Sequence, residues 1–178
     1  MRLFPAGKSK ALSACALAAV AVCAGMSVKA GGELLTMLDV FATPAFYLSL
    51  AHTRVAAEIP PLGAFIMHNM RLFFLFSLLF WLSGLVLALG VWARREWGRR
   101  GGCWMLYLVS GAALLLLLYP WLVVPKPLMY GGISLAPEFN SAVRAAAFFA
   151  RLGAFLAGGL ALWAALLLDR GGLKAEFH

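Results

Sequence analysis

Apolar residues run along this chain in long stretches separated by short charged ones. Leu72 to Val91 holds no charge and lies between Arg71 and Arg94; Cys103 to Val124 is equally uncharged; Ala145 to Leu168 follows Arg144, precedes Asp169 and carries one charge, Arg151. Bilayer hydrocarbon is about 30 Å thick and is crossed by about 20 apolar residues rising about 1.5 Å each. The three runs therefore predict membrane-spanning helices over 72–92, 103–124 and 143–168, a three-helix transmembrane unit within residues 71–178.

A fourth run, Ala11 to Val28, is rich in Ala rather than Leu and follows Arg2, Lys8 and Lys10. That pattern fits a first transmembrane helix. It also fits a secretory signal peptide, for which Val28 and Ala30 supply small residues where a signal peptidase reads them. Residues 1–30 are thus a first transmembrane helix or a signal peptide, and either reading places residue 31 outside.

Residues 31–70 are too many for a turn and too apolar for a solvated loop. Leu34, Leu35, Leu38 and Phe41 recur at helical spacing opposite Glu33, Thr36, Asp39 and Thr43, which predicts an amphipathic outer helix. Thr43 and Pro44 read as N-cap and first turn of a second helix ending near Glu58. Pro60 and Pro61 stop it, and Pro61 opens a helix that can run on to Trp92, about 48 Å long at about 1.5 Å per residue. The pairs Gly31–Gly32 and Gly131–Gly132 read as turns.

Composition agrees with the pattern. The 178 residues are 63% hydrophobic and 12% charged, with a mean hydropathy of +0.90, against about 45–50% apolar and about 25% charged in soluble domains. The expected fold is an all-α polytopic integral membrane bundle of three or four transmembrane helices with an amphipathic outer helical segment.

Net charge is +8, but position says more than the sum. Residues 1–10, 93–102 and 169–178 hold nine Lys and Arg in thirty positions, whereas 29–71 and 125–151 hold six in seventy. Basic residues near helix ends stay in the cytoplasm. The expectation is an inner-membrane, multi-pass protein with cytoplasmic amino terminus, middle loop and carboxyl terminus. The basic clusters abut apolar runs and do not interleave with stacking aromatics on one surface, so nucleic-acid binding is not expected. Cys15, Cys23 and Cys103 have no CxxC spacing, which leaves no indication of a disulfide framework or a metal site.

Polar residues fit for chemistry concentrate on the expected outer side: His52, Glu58, His68, Arg71 and Glu138. His52 and His68 are the candidate cofactor ligands, since paired imidazoles hold a b-type haem, although their spacing of sixteen matches no local metal motif. Arg151 is a charge inside an apolar run. Counted from Leu168 it lies about 25 Å up its helix, where it reaches headgroups by snorkelling or pairs with Glu58 or Glu138. Small residues mark helix-packing rows at Gly84 and Ala88, and at Gly153, Ala157 and Ala161. Trp104, Tyr107, Tyr119 and Trp121 suit interfacial anchoring.

Residues 72–92, 103–124 and 152–168 hold no ionisable carboxylate or histidine, which argues against coupled transport. Nor is there a phosphate-cradling glycine loop, a zinc-protease motif or a serine elbow. No catalytic residue and no bound cofactor are predicted. The expectation is a non-enzymatic membrane subunit or accessory protein of an inner-membrane complex, in contact with the lipid bilayer and with another membrane protein or further copies of itself. A redox (haem b) or lipid-handling protein with an outer-interface site is the alternative, and a small channel or transporter a third.

Overall fold

The computed structural model describes residues 9–41, 60–127, 129–130, 133–134 and 136–177. Helix α1 spans Lys10–Phe41, α2 Pro61–His68, α3 Met70–Trp92, α4 Glu96–Leu118, α5 Pro137–Asp169 and the short α6 Gly171–Lys174. Between α4 and α5 lie a 3-10 turn, Pro120–Leu122, and two strands of two residues each, β1 (Met129–Tyr130) and β2 (Ile133–Ser134), paired antiparallel. The fold is an all-α helical bundle in which α1, α3, α4 and α5 are long and apolar enough to cross a membrane.

Helix α1 is continuous, which corrects the expected break after residue 30. Gly31 and Gly32 are helical, not a turn, and Leu34, Leu35, Leu38 and Phe41 belong to the same helix as Ala11. Two glycines inside a helix cost about 1 kcal/mol each relative to Ala. Packing explains why the helix survives them. Among its buried and half-buried positions, Ser13, Ala16, Val20, Cys23, Ser27, Ala30, Leu34 and Met37 form one line in alternating steps of three and four, flanked by half-buried Leu12, Leu17, Ala24, Met26 and Gly31. That is the spacing of a knobs-into-holes seam, and it lies against α3, where a Cβ at Gly31 would touch Leu78. The expected second outer helix over 43–58, and with it His52 and Glu58, lies outside the described residues.

Pro61 does open a helix, but one element from Pro61 to Trp92 does not form. Asn69 breaks it, with φ −125° and ψ 35°. Its side-chain Nδ2 donates to the Phe65 carbonyl at 3.0 Å and its backbone N–H to Phe65 and Ile66, while His68 Nδ1 lies 2.9 Å from the Ala64 oxygen. Local polar side chains thus satisfy the carbonyls that close α2, as Asn does at helix ends. At the far end, α4 stops at Leu118 rather than Val124, because Pro120 disfavours helical backbone at the residue before it. Helix α5 starts at Pro137, earlier than residue 143, with proline in the first turn.

The long helices pack in chain order: α1 on α3, α3 on α4, α4 on α5. The expected ten-residue loop between the second and third long helices is only a turn. Helix α3 ends at Trp92, α4 begins at Glu96, and the backbones cross at two glycines. A Cβ on Gly98 would stand 2.6 Å from the Gly90 Cα, and one on Gly90 would stand 2.8 Å from the Gly98 Cα. From that crossing the helices diverge, leaving an open apolar groove of about 720 Å³ whose walls include Phe73, Phe76, Phe80, Trp104 and Leu108. One apolar cluster, Ala16, Val91, Cys103, Leu168 and Phe177, closes the bundle at the turn end; Val124, Val143 and Ala147 form another at the opposite end.

Candidate functional site

The polar residues that the fold brings together lie at the turn end, where the start of α1, the end of α3, the start of α4 and the end of α5 meet. Gly90 and Val91 accept from the backbone N–H groups of Arg95 and Arg94, and Arg94 takes a left-handed φ of 58°. This is the 6→1 and 5→2 pattern that terminates helices, at a position normally given to glycine because a Cβ there costs about 1 kcal/mol or more. An arginine in it turns its side chain inward.

That side chain is 3% exposed. Arg94 Nη2 donates to the Ser9 carbonyl at 3.0 Å and to Ser13 Oγ at 2.9 Å, and lies 3.5 Å from Glu176 Oε2. The Ser9 backbone N–H donates to both Glu176 carboxylate oxygens, at 3.3 and 3.2 Å. Ser9 also caps α1, its Oγ accepting from the Leu12 N–H at 3.3 Å. The Phe177 ring lies 5.8 Å from the guanidinium carbon, within range of a cation–π contact. Nε and Nη1 of Arg94 are buried and have no acceptor among the described residues. Leaving a buried donor unmatched costs about 1–3 kcal/mol.

Arg99, one turn into α4, is 4% exposed and joins two carboxylates. Its Nε and Nη2 hold Glu96 in a two-point grip at 2.8 and 2.7 Å, and its Nη1 reaches Asp169 Oδ1 at 2.8 Å. Arg100 adds a third bond to Glu96, at 2.8 Å. Glu96 suits the first turn of α4, whose exposed N–H groups attract negative charge. Asp169 ends α5, where the dipole disfavours an acid, and Arg99 offsets that. Beneath them the Cys103 thiol faces the Ala165 carbonyl at 3.8 Å.

Of the residues singled out from sequence, His52 and Glu58 lie outside the described part. His68 is exposed and held against its own helix at Ala64. Arg71 is exposed near the start of α3. Glu138 is exposed in the first turn of α5, its backbone carbonyl accepting from Ser141 Oγ at 2.7 Å. Arg151 is exposed one turn and a half beyond Ala145, and among the described residues no ion pair joins it to Glu138. Gly84 and Ala88 are buried, a Cβ on Gly84 meeting Cys23 Sγ and Met105 Cε at 3.2 Å each. On α5 the inward row is Ala154, Gly158, Ala161 and Ala165, with Gly158 set against Ala113. Ala161 shares it, whereas Gly153 and Ala157 face outward.

The clasp residues Arg94, Glu96, Arg99, Asp169 and Glu176 were not singled out from sequence beyond the basic ones being counted as loop charges. The signal for half of it was present: Glu96 precedes Arg99 and Arg100 by three and four residues, the spacing of a helical ion pair. Among the described residues no three His, Cys, Asp or Glu side chains come together as metal ligands would. Compared with protein families, curated proteins and solved structures, the chain matches none of them.

Proposed function

We propose that this chain is a non-enzymatic, multi-pass integral membrane subunit or accessory protein of an inner-membrane complex, with the 93–95 turn and residues 169–177 in the cytoplasm. The orientation rests on the density of Lys and Arg near the helix ends that meet there. The functional reading rests on how the helices are arranged. Packed in series, they bury only their shared seams and leave long apolar faces outward. One of these faces carries small residues: Gly153 and Ala157 lie on the outer side of α5 between exposed Phe149 and Leu160. In lipid, where helices gain nothing from mere burial, such small positions are where a second helix approaches closely.

The described ionic groups of the clasp support the same reading. They bind one another across helix ends and so hold the bundle together, and the groove between α3 and α4 is walled by aromatic and aliphatic side chains with Ser77 and Ser83 among them. The test is purification of the tagged full-length chain from membranes in mild detergent. A larger complex, or an assembly of identical chains, is expected, and the double variant Gly153→Leu/Ala157→Leu is expected to release the monomer without loss of helix content. A wild-type chain recovered as a stable monomer would overturn the reading.

A further inference from the structure

Among the described residues, one of the three guanidinium nitrogens of Arg94 finds acceptors. Nη2 is bonded to Ser9 and Ser13, while Nε and Nη1 are buried with no acceptor among those residues, in a side chain 3% exposed. A guanidinium presents its donors as a planar fork that matches an oxyanion. Beside it the fold adds the Ser9 N–H, at the N-terminus of a 32-residue helix, an end that favours anions, while the Ser13 hydroxyl, donating to the Ser9 carbonyl at 3.4 Å and accepting from Nη2, holds the guanidinium in place. One anion already sits there: the Glu176 carboxylate accepts from the Ser9 N–H and lies 3.5 Å from Nη2, longer than the usual 2.7–2.9 Å or so of a charge-assisted bond. Phe177 lies over the guanidinium. Exposed Lys10, Arg95 and Lys174 give this end of the bundle a positive field that draws anions.

We propose that Arg94 and the Ser9 N–H, with Ser13 positioning the guanidinium, form a binding site for a phosphate-bearing anion, which Glu176 and Phe177 cover as a displaceable lid. The carboxylate is the internal stand-in for the ligand. Exchange leaves the Arg94 charge neutralised, and a phosphate, with more oxygens than a carboxylate, takes the Ser9 N–H together with one of the two guanidinium donors, Nε or Nη1, that Glu176 leaves unmatched. Free phosphate and an anionic lipid headgroup share this chemistry.

The test uses the full chain in non-ionic detergent, with inorganic phosphate titrated calorimetrically in one arm. In the other, native mass spectrometry counts lipid retained from nanodiscs of phosphatidylglycerol against phosphatidylcholine. Glu176→Gln weakens the lid without removing its bulk and is expected to tighten binding about tenfold. Arg94→Lys keeps the charge, loses the fork and is expected to weaken binding about tenfold. A response to both variants in the phosphate arm identifies a free anion as ligand, and in the nanodisc arm a headgroup. An arm that does not respond to both counts as negative, and two negative arms overturn the proposal.

Discussion

Arg99 Nη1 donates to Asp169 Oδ1 at 2.8 Å across seventy residues of chain, tying the first turn of α4 to the last residue of α5. The same guanidinium holds Glu96 with its other two nitrogens, so a side chain 5% exposed is matched on every edge. Two antiparallel helices that pack along a row of alanines have little to fix their register. This bond does.

Removing the arginine therefore leaves Asp169 at an unfavourable helix end and a cavity beside Cys103. Arg99→Ala is expected to destabilise the protein by about 2–3 kcal/mol, less than the about 3–5 kcal/mol of a fully buried pair because Asp169 is 60% exposed. Asp169→Asn, which keeps an acceptor, is expected to cost less than half as much. Thermal unfolding in detergent ranks the two, and equal losses would show that Asp169 and not Arg99 organises this end.

The glycine crossing gives a sharper contrast. A Cβ on Gly98 would stand 2.7 Å from the Val91 nitrogen and 2.6 Å from the Gly90 Cα, both backbone atoms with nowhere to go. Gly98→Ala should cost about 2 kcal/mol or more, or force α3 and α4 apart. Gly153→Ala, where a Cβ meets nothing within 4 Å, should leave stability unchanged or raise it by up to about 1 kcal/mol through helix propensity. The two melting temperatures, measured side by side, check the crossing.

The seam from Ser13 to Met37 bears on the fate of the amino-terminal segment. Cleavage after Ala30 would remove most of the surface that α1 lays on α3, together with Ser9 and Ser13, the bonded partners of Arg94. Residues 10–30 are expected in the mature protein. Intact mass measurement of protein purified from membranes decides it, and a mature chain beginning at Gly31 would contradict the expectation.

Arg95 and Glu138 are both exposed, at opposite ends of the bundle. In a cysteine-free background, Glu138→Cys is expected to react with a membrane-impermeant maleimide on intact cells, and Arg95→Cys only after permeabilisation. The reverse pattern would turn the proposed orientation over.

Uninterrupted apolar runs by themselves determined that this chain is helical and which four stretches its long helices are built on, though not their ends, because in lipid the backbone must bond to itself and only length and apolarity are needed to specify that. Pro61 likewise announced a beginning through local sterics, whereas the end before Pro120 and the start at Pro137 obey the same sterics but were not read from them. Contacts between distant segments could not be read so. Whether the Gly31–Gly32 pair bends the chain depended on α3 lying against Gly31, and which face of α5 turns inward depended on Ala113, so that Gly158 and not Gly153 meets a neighbour. The arginines of the 93–102 stretch read as solvated loop charges. For Arg94 and Arg99, burial was decided by carboxylates some seventy to eighty residues away, at Glu176 and Asp169, since a charge leaves water only where the folded chain supplies a partner.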